Sequence, residues 1–182
     1  MLIKGITDED FVNYKVPSMF IATAICSFKC DKEYGSPICQ NSALAKQPSL
    51  DIPIKLMVTR YLANPITKAI VFGGLEPFDQ LMELFAFVEA VRQPNETDDD
   101  IVIYTGYNKK ELQNSIFVDK YHFDGYNVSK KCTAHIDIID ILSEYKNIII
   151  KYGRYIPGHK PHFDPVLGVN LASDNQYAER IS

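Results

Sequence analysis

Short β-branched runs recur along this chain, and amphipathic stretches alternate with them. That alternation restricts it to an α/β fold. Met19–Ile25, Lys68–Phe72, Ile101–Tyr104 and Asn147–Lys151 are the four clearest strand segments. Ile52–Leu62 reads as a helix, with Ser49 and Asp51 as plausible caps and Pro53 near its first turn. Phe78–Val91 places Leu81, Leu84, Phe85 and Val88 at helical spacing. Asn108 caps a short helix reaching about Ile116, and Ile136–Tyr145 reads as a further helix. Phe117–Thr133 gives no clear pattern, and the stretch after Gly153 is rich in Pro, Gly and His, with a late apolar patch at Val166–Val169. Strand–helix units joined by short loops imply a mostly parallel sheet. Four strands, with one or two more, are too few for a closed eight-stranded barrel, which takes ~250 residues. A partial (open) β/α barrel or an open sheet fits 182 residues. With no repeat or linker, residues 1–182 read as a single domain, with a cysteine loop at 26–39 and a C-terminal tail at 153–182.

Composition excludes several classes of function. Hydrophobic residues make up 46% and charged residues 23%, which argues for a packed globule. The net charge is −4 and the 19 basic residues are dispersed, so no phosphate-neutralising surface is expected and no nucleic-acid partner. No apolar run approaches the roughly 20 residues that span a bilayer. The segment Met1–Asp10 is acidic at its end and lacks a signal-peptide core. The expectation is a cytoplasmic protein with no membrane partner.

Three of the four cysteines, Cys26, Cys30 and Cys39, fall on one loop as C-x3-C-x8-C, directly after a predicted strand. In a reducing compartment such a cluster points to metal or catalysis rather than disulfides. Three thiolates can hold a 4Fe-4S cluster through three irons and leave the fourth open, whereas electron-transfer clusters take four cysteines. A zinc site would want four ligands, usually from C-x2-C pairs, and no second pair exists. Zinc, or simple burial of the thiols, remains an alternative at this point. Cys132 stands far off beside Lys130 and Lys131 and reads as a partly buried thiol. Two further motifs also follow strands, Gly73-Gly74 and Thr105-Gly106. In parallel α/β sheets, chemistry gathers at the C-terminal strand ends.

In order along the chain, these stretches resemble the radical S-adenosylmethionine (SAM) superfamily. Within it they resemble the activating enzymes of anaerobic (class III) ribonucleoside-triphosphate reductase. The resemblance is carried by Asp10–Tyr14 with Pro17–Ile21 leading into the cysteine loop, by Cys39-Gln40-Asn41, and by Phe72-Gly73-Gly74-Leu75-Glu76-Pro77 with the following Gln80. Tyr104-Thr105-Gly106-Tyr107 and Gly168–Gln176 complete it. It covers about residues 10 to 180. Two departures stand out: the family spacing is C-x3-C-x2-C, and Leu75 intervenes in the Gly-Gly-Glu-Pro motif. The additional loop residues, around Lys32–Pro37, contain Gly and Pro and are expected to loop out while the cysteines converge.

The resemblance implies a radical SAM oxidoreductase with two cofactors, a 4Fe-4S cluster on Cys26, Cys30 and Cys39, and SAM. SAM would bind at Gly73, Gly74, Glu76, Pro77, Thr105 and Tyr107, with Glu76 accepting from its ammonium and the glycines permitting close approach. One-electron cleavage of SAM would generate a 5′-deoxyadenosyl radical that installs a glycyl radical on the large subunit of the reductase. Partners would then be that subunit and an electron donor such as flavodoxin or ferredoxin. No catalytic side chain beyond the cluster and SAM is implied. Alternatives are a small-molecule radical SAM enzyme similar to 7-carboxy-7-deazaguanine synthase, or a metal-binding protein without radical chemistry. Lys151 and Arg154 follow the last predicted strand and stand open to a SAM carboxylate, a partner or a simple salt bridge. His159 and His162 read as surface loop residues, and Asp98–Asp100 as a solvated turn.

Overall fold

The computed structural model describes residues 1–93, 97–119 and 132–182. The chain opens with β1 (Leu2–Asp10) and β2 (Ser18–Thr23), followed by two short helices, α1 (Lys29–Tyr34) and α2 (Ser42–Ala45). A two-residue strand β3 (Leu50–Asp51), α3 (Ile54–Leu62) and β4 (Ala69–Gly74) come next. A 3-10 turn (Pro77–Gln80) leads into α4 (Leu81–Arg92), then β5 (Asp100–Tyr104) and α5 (Lys109–Gln113). The remainder comprises β6 (Ser115–Asp119), β7 (Cys132–Ile136), α6 (Ile138–Ser143), β8 (Ile148–Tyr152), β9 (His162–Asp164), β10 (Val169–Leu171) and β11 (Tyr177–Arg180).

Seven strands form one mixed sheet in the order β11-β8-β5-β4-β2-β1-β3. The α/β expectation holds, and the parallel part is the central β2-β4-β5-β8 set. β1, β3 and β11 are antiparallel additions at the sides. The sheet is open, with edges at β3 and β11, and no barrel is identified. β9 pairs with β10, and β6 with β7, in separate two-stranded sheets.

The four predicted strands are β2, β4, β5 and β8. Strand β1 was not foreseen, because its alternation of Ile3 and Ile6 with charged residues is broken by Gly5 and by bulges in its pairing with β2. Leu50 and Asp51 pair with β1, so Asp51 belongs to a strand. The N-cap of α3 is Pro53, with no side-chain cap. Asn108 does cap α5, in a reciprocal capping box with Glu111. That helix stops at Gln113 because Ser115 begins β6. Most of the unread stretch Phe117–Thr133 lies outside the described residues. Its ends belong to β6 and β7.

The two faces of the sheet differ. One carries Ile70, Phe72, Ile101, Ile103, Ile148 and Ile150 under α3, α4 and α6, with Met57, Leu84, Phe87 and Leu142 almost fully buried against them. Removing that apolar area from water, at about 25 cal/mol per Å², is the main force holding the helices down. The other face is covered only toward the N-terminal strand ends, where Tyr14, Leu167 and Leu171 pack on Val71, Val102 and Ile149. Toward the C-terminal ends that face is open. Of the turn expected to be solvated, Asp98 is exposed, whereas Asp99 and Asp100 are structural: Tyr61 donates to Asp99 (2.5 Å), Tyr14 to Asp100 (2.6 Å), and Arg180 pairs with Asp100 (2.7 Å).

Candidate iron–sulfur site

At the uncovered C-terminal edge lies a cavity of about 420 Å³. Cys26, Cys30 and Cys39 line it together with Gly73, Gly74, Glu76, Thr105 and Gly106. β2 delivers Cys26, β4 the glycines and β5 the threonine, so strand register alone brings these motifs to one edge. The β2–β4 pairing continues past the strands, with the Leu75 amide donating to Thr23 O (3.2 Å) and the Glu76 amide to Ile25 O (3.0 Å). Glu76 therefore stands beside the start of the cysteine loop.

The eight-residue gap between Cys30 and Cys39 is folded away locally. α1 takes up Lys29–Tyr34, and Gly35 (φ 77°) closes it in the left-handed region that glycine tolerates. The chain then turns back, and the Asp31 carboxylate accepts from the amides of both Ile38 and Cys39 (2.9 Å each). This clip returns Cys39 toward Cys30, and both thiols line the same cavity. Asn41 donates through its side chain to Gly74 O, tying the loop to β4. Ser27 N donates to Asp79 (2.5 Å), and Phe28 N to Cys26 Sγ (3.3 Å).

Burial pushes the Cys26 thiol up to about 11 and the Cys30 thiol to about 12. Holding a metal through these thiols would displace their protons. Among the described residues, no three His, Cys, Asp or Glu side chains close on a single metal ion. A single zinc ion would need such convergence, whereas a cluster distributes three thiolates over three irons. Soft sulfur donors with an N–H···S bond and walls provided by Ile38 and Leu44 fit an iron–sulfur cluster.

Glu76 is 7% exposed, and its carboxylate accepts from Thr105 Oγ1 (2.7 Å), Gly106 N (2.9 Å) and Phe78 N (3.1 Å). Burial raises its pKa to about 7, against the opposing pull of those three hydrogen bonds. The bare positions at the glycines are already used within the chain. A Cβ at Gly73 would meet the Phe20 ring at 2.9 Å, and one at Gly74 (φ 79°) would meet Ala22 Cα at 2.9 Å.

Two residues from the sequence reading stand outside the cavity. Pro77 begins the buried 3-10 turn behind it. Tyr107 lines a separate groove of about 900 Å³ and donates to Asp79 (2.6 Å). Arg154 is salt-bridged: it makes two bonds to Glu111 (2.7 and 2.8 Å) and one to Glu33 (3.2 Å). These contacts hold the Glu111 carboxyl down to about 2. Lys151 faces the cavity at 7% exposure, and its Nζ donates to Gly153 O (2.9 Å). Burial lowers its pKa to about 8. His159 pairs with Asp174 at the surface. Cys132 and His135 lie on the backbone of β7. Their side chains, like the whole of His122, lie outside the described residues.

Sequence reasoning missed Asp31, Phe20 and Asp79 as parts of the site. It also missed how the tail takes part. Gln176 accepts from Ala172 N and Ser173 N and donates to Gly153 O (3.1 Å), while Asn175 donates to Arg154 O (2.8 Å). The tail thus clamps the exit of β8 and walls the cavity with Asn170–Ala172. The Gly168–Gln176 stretch is recognisable in the sequence, but its partners are not, since Asn175 and Gln176 reach back 21 and 23 positions.

No curated protein and no solved structure matches this chain. A family model described as a 4Fe-4S single cluster domain matches residues 18–145, from the start of β2 through α6 and including all three loop cysteines. No helix among the described residues is long and apolar enough to cross a membrane. With more than half of its length matched, and with the three cysteines that line the cavity inside the matched span, the chain belongs to the 4Fe-4S single cluster domain family.

Proposed function

We propose that this protein is a radical SAM oxidoreductase of the glycyl-radical-activating type, acting on an anaerobic ribonucleotide reductase. The observation that carries the reading is the three-cysteine loop sharing one cavity with Gly73, Gly74, Glu76 and Thr105. Three thiolates leave one iron without a protein ligand, which is the position an amino-acid-like cofactor needs. Bound there, the cluster would supply the electron for reductive cleavage of the carbon–sulfur bond of SAM.

The protein's share of the work is positioning and exclusion of water. Asp31 fixes Cys39, and Asn41 couples the loop to the end of β4. Glu76 holds the Thr105–Gly106 turn and has lone-pair capacity left for one ammonium donor. Gly74 O and the neighbouring backbone form the wall on which the methionyl end of SAM would lie. Pro77 opens the turn that follows Glu76, and the Tyr107 amide donates to Thr105 Oγ1 (2.9 Å). The tail closes the floor through Gln176.

A macromolecular substrate is consistent with the rim. Phe11 and Val12 are 65% and 74% exposed, beside Asn13, which lines the cavity. Exposed apolar side chains at the mouth of a site suit coverage by another protein. A flavodoxin or ferredoxin would supply electrons.

The test is anaerobic incubation of iron-loaded protein with SAM and dithionite, with 5′-deoxyadenosine and methionine quantified. The wild type is expected to form both, and Cys26→Ala, Cys30→Ala and Cys39→Ala to form neither. A fully iron-loaded wild type that leaves SAM intact contradicts the proposal.

A further inference from the structure

Among the described residues, the cavity holds one cation without an ion-pair partner. Lys151 ends the parallel register of β8, level with Tyr104 of β5, and lies on the sheet face that carries the cavity. Its Nζ donates to Gly153 O and stands 6.0 Å from the Tyr104 ring centroid. Among the described residues, no carboxylate lies within ion-pair distance of it. The other cation lining the cavity, Arg154, is neutralised by Glu111 and Glu33. Glu76, the anion whose field reaches Lys151, makes no ion pair with it and holds Thr105, Gly106 and Phe78 instead. A buried ammonium with a single neutral acceptor is costly, and its position is explained if a negative charge enters the same cavity.

We propose that Lys151 is a positioning residue for charge: its ammonium offsets the negative charge of the thiolate-bound cluster and favours the reduced state. Three thiolates around an oxidised 4Fe-4S core carry a net charge of −1, and one-electron reduction makes it −2, with no bond formed or broken. The electron comes from an external low-potential one-electron reductant, dithionite in the test. At this reduced dielectric the added charge is attracted to Lys151 more strongly than it would be in water. The inference rests on the cluster alone and is independent of SAM chemistry.

The experiment is a potentiometric titration of the anaerobically reconstituted full chain, followed by EPR of the reduced cluster, for wild type, Lys151→Gln, Lys151→Met and Lys151→Arg. Lys151→Gln keeps a donor for Gly153 O while removing the charge, so it serves even where Lys151→Met fails to fold. Loss of the charge is expected to lower the reduction equilibrium about tenfold or more, a midpoint lower by ~59 mV for a one-electron couple. Lys151→Arg is expected to stay near wild type. An unchanged midpoint in Lys151→Gln at full iron loading overturns the proposal. So does loss of iron binding in Lys151→Gln with retention in Lys151→Arg, which would assign the charge to cluster assembly rather than to potential.

Discussion

Glu76 shows how one side chain can serve the fold and the site together. Its carboxylate joins the ends of β4 and β5 through Thr105 and Gly106. Glu76→Ala strands three donors in a buried place, so unfolding by urea should show a loss of about 2–4 kcal/mol. Its raised pKa also has a definite sign. A carboxyl whose pKa moves from 4.5 to about 7 on folding adds stability below about pH 4.5, and that stability is lost as pH rises to about 7. Urea midpoints measured across that window should fall in the wild type relative to Glu76→Gln, and parallel profiles would contradict the assignment. Gly74 makes a second prediction at this scale. It combines a left-handed φ with a Cβ position against Ala22 backbone, so Gly74→Ala should cost about 1–3 kcal/mol, read from the same denaturation curves. The importance of Glu76 was legible in its motif. The identity of its partners was not, because Thr105 and Gly106 lie 29 and 30 residues further along the chain.

Among the elements, the cysteine loop is the least regular and bears the most chemistry. Its long second gap departs from the spacing of the resembled family, and the structure absorbs it in one helical turn, a glycine cap and the Asp31 clip. Gly35 and Pro37 were readable as a place to loop out. Asp31 was not, since an aspartate after a cysteine has no signature until the chain returns to it. Asp31→Ala should leave the sheet folded but free Cys39 from Cys30, lowering iron bound on reconstitution severalfold while far-UV dichroism is unchanged. Full iron loading in that variant would show that the clip is dispensable. The helices α3, α4 and α5 were legible from periodicity and from the Asn108 cap. β1 was not, because alternation on a bulged strand next to the sheet edge is weak.

At the scale of the whole molecule, the design is a sheet with one face sealed by helices and the other sealed only at one end. The four apolar parallel strands made the α/β class readable, and the motifs following them made the edge that carries the cavity readable. The antiparallel additions β1, β3 and β11 and the tail clamp depend on pairings between distant segments that no local pattern records. Because the loop supplies three thiols, Cys132→Ala should retain a full cluster by iron and sulfide analysis. Loss of the cluster in that variant would mean a fourth cysteine ligand and a closed site. The central claim is a 4Fe-4S cluster with one iron open to a small molecule. It is tested most directly by EPR of the dithionite-reduced, reconstituted protein with and without SAM. A reduced-cluster signal that changes when SAM is added is the predicted result. A signal indifferent to SAM, or no cluster at all, would contradict it.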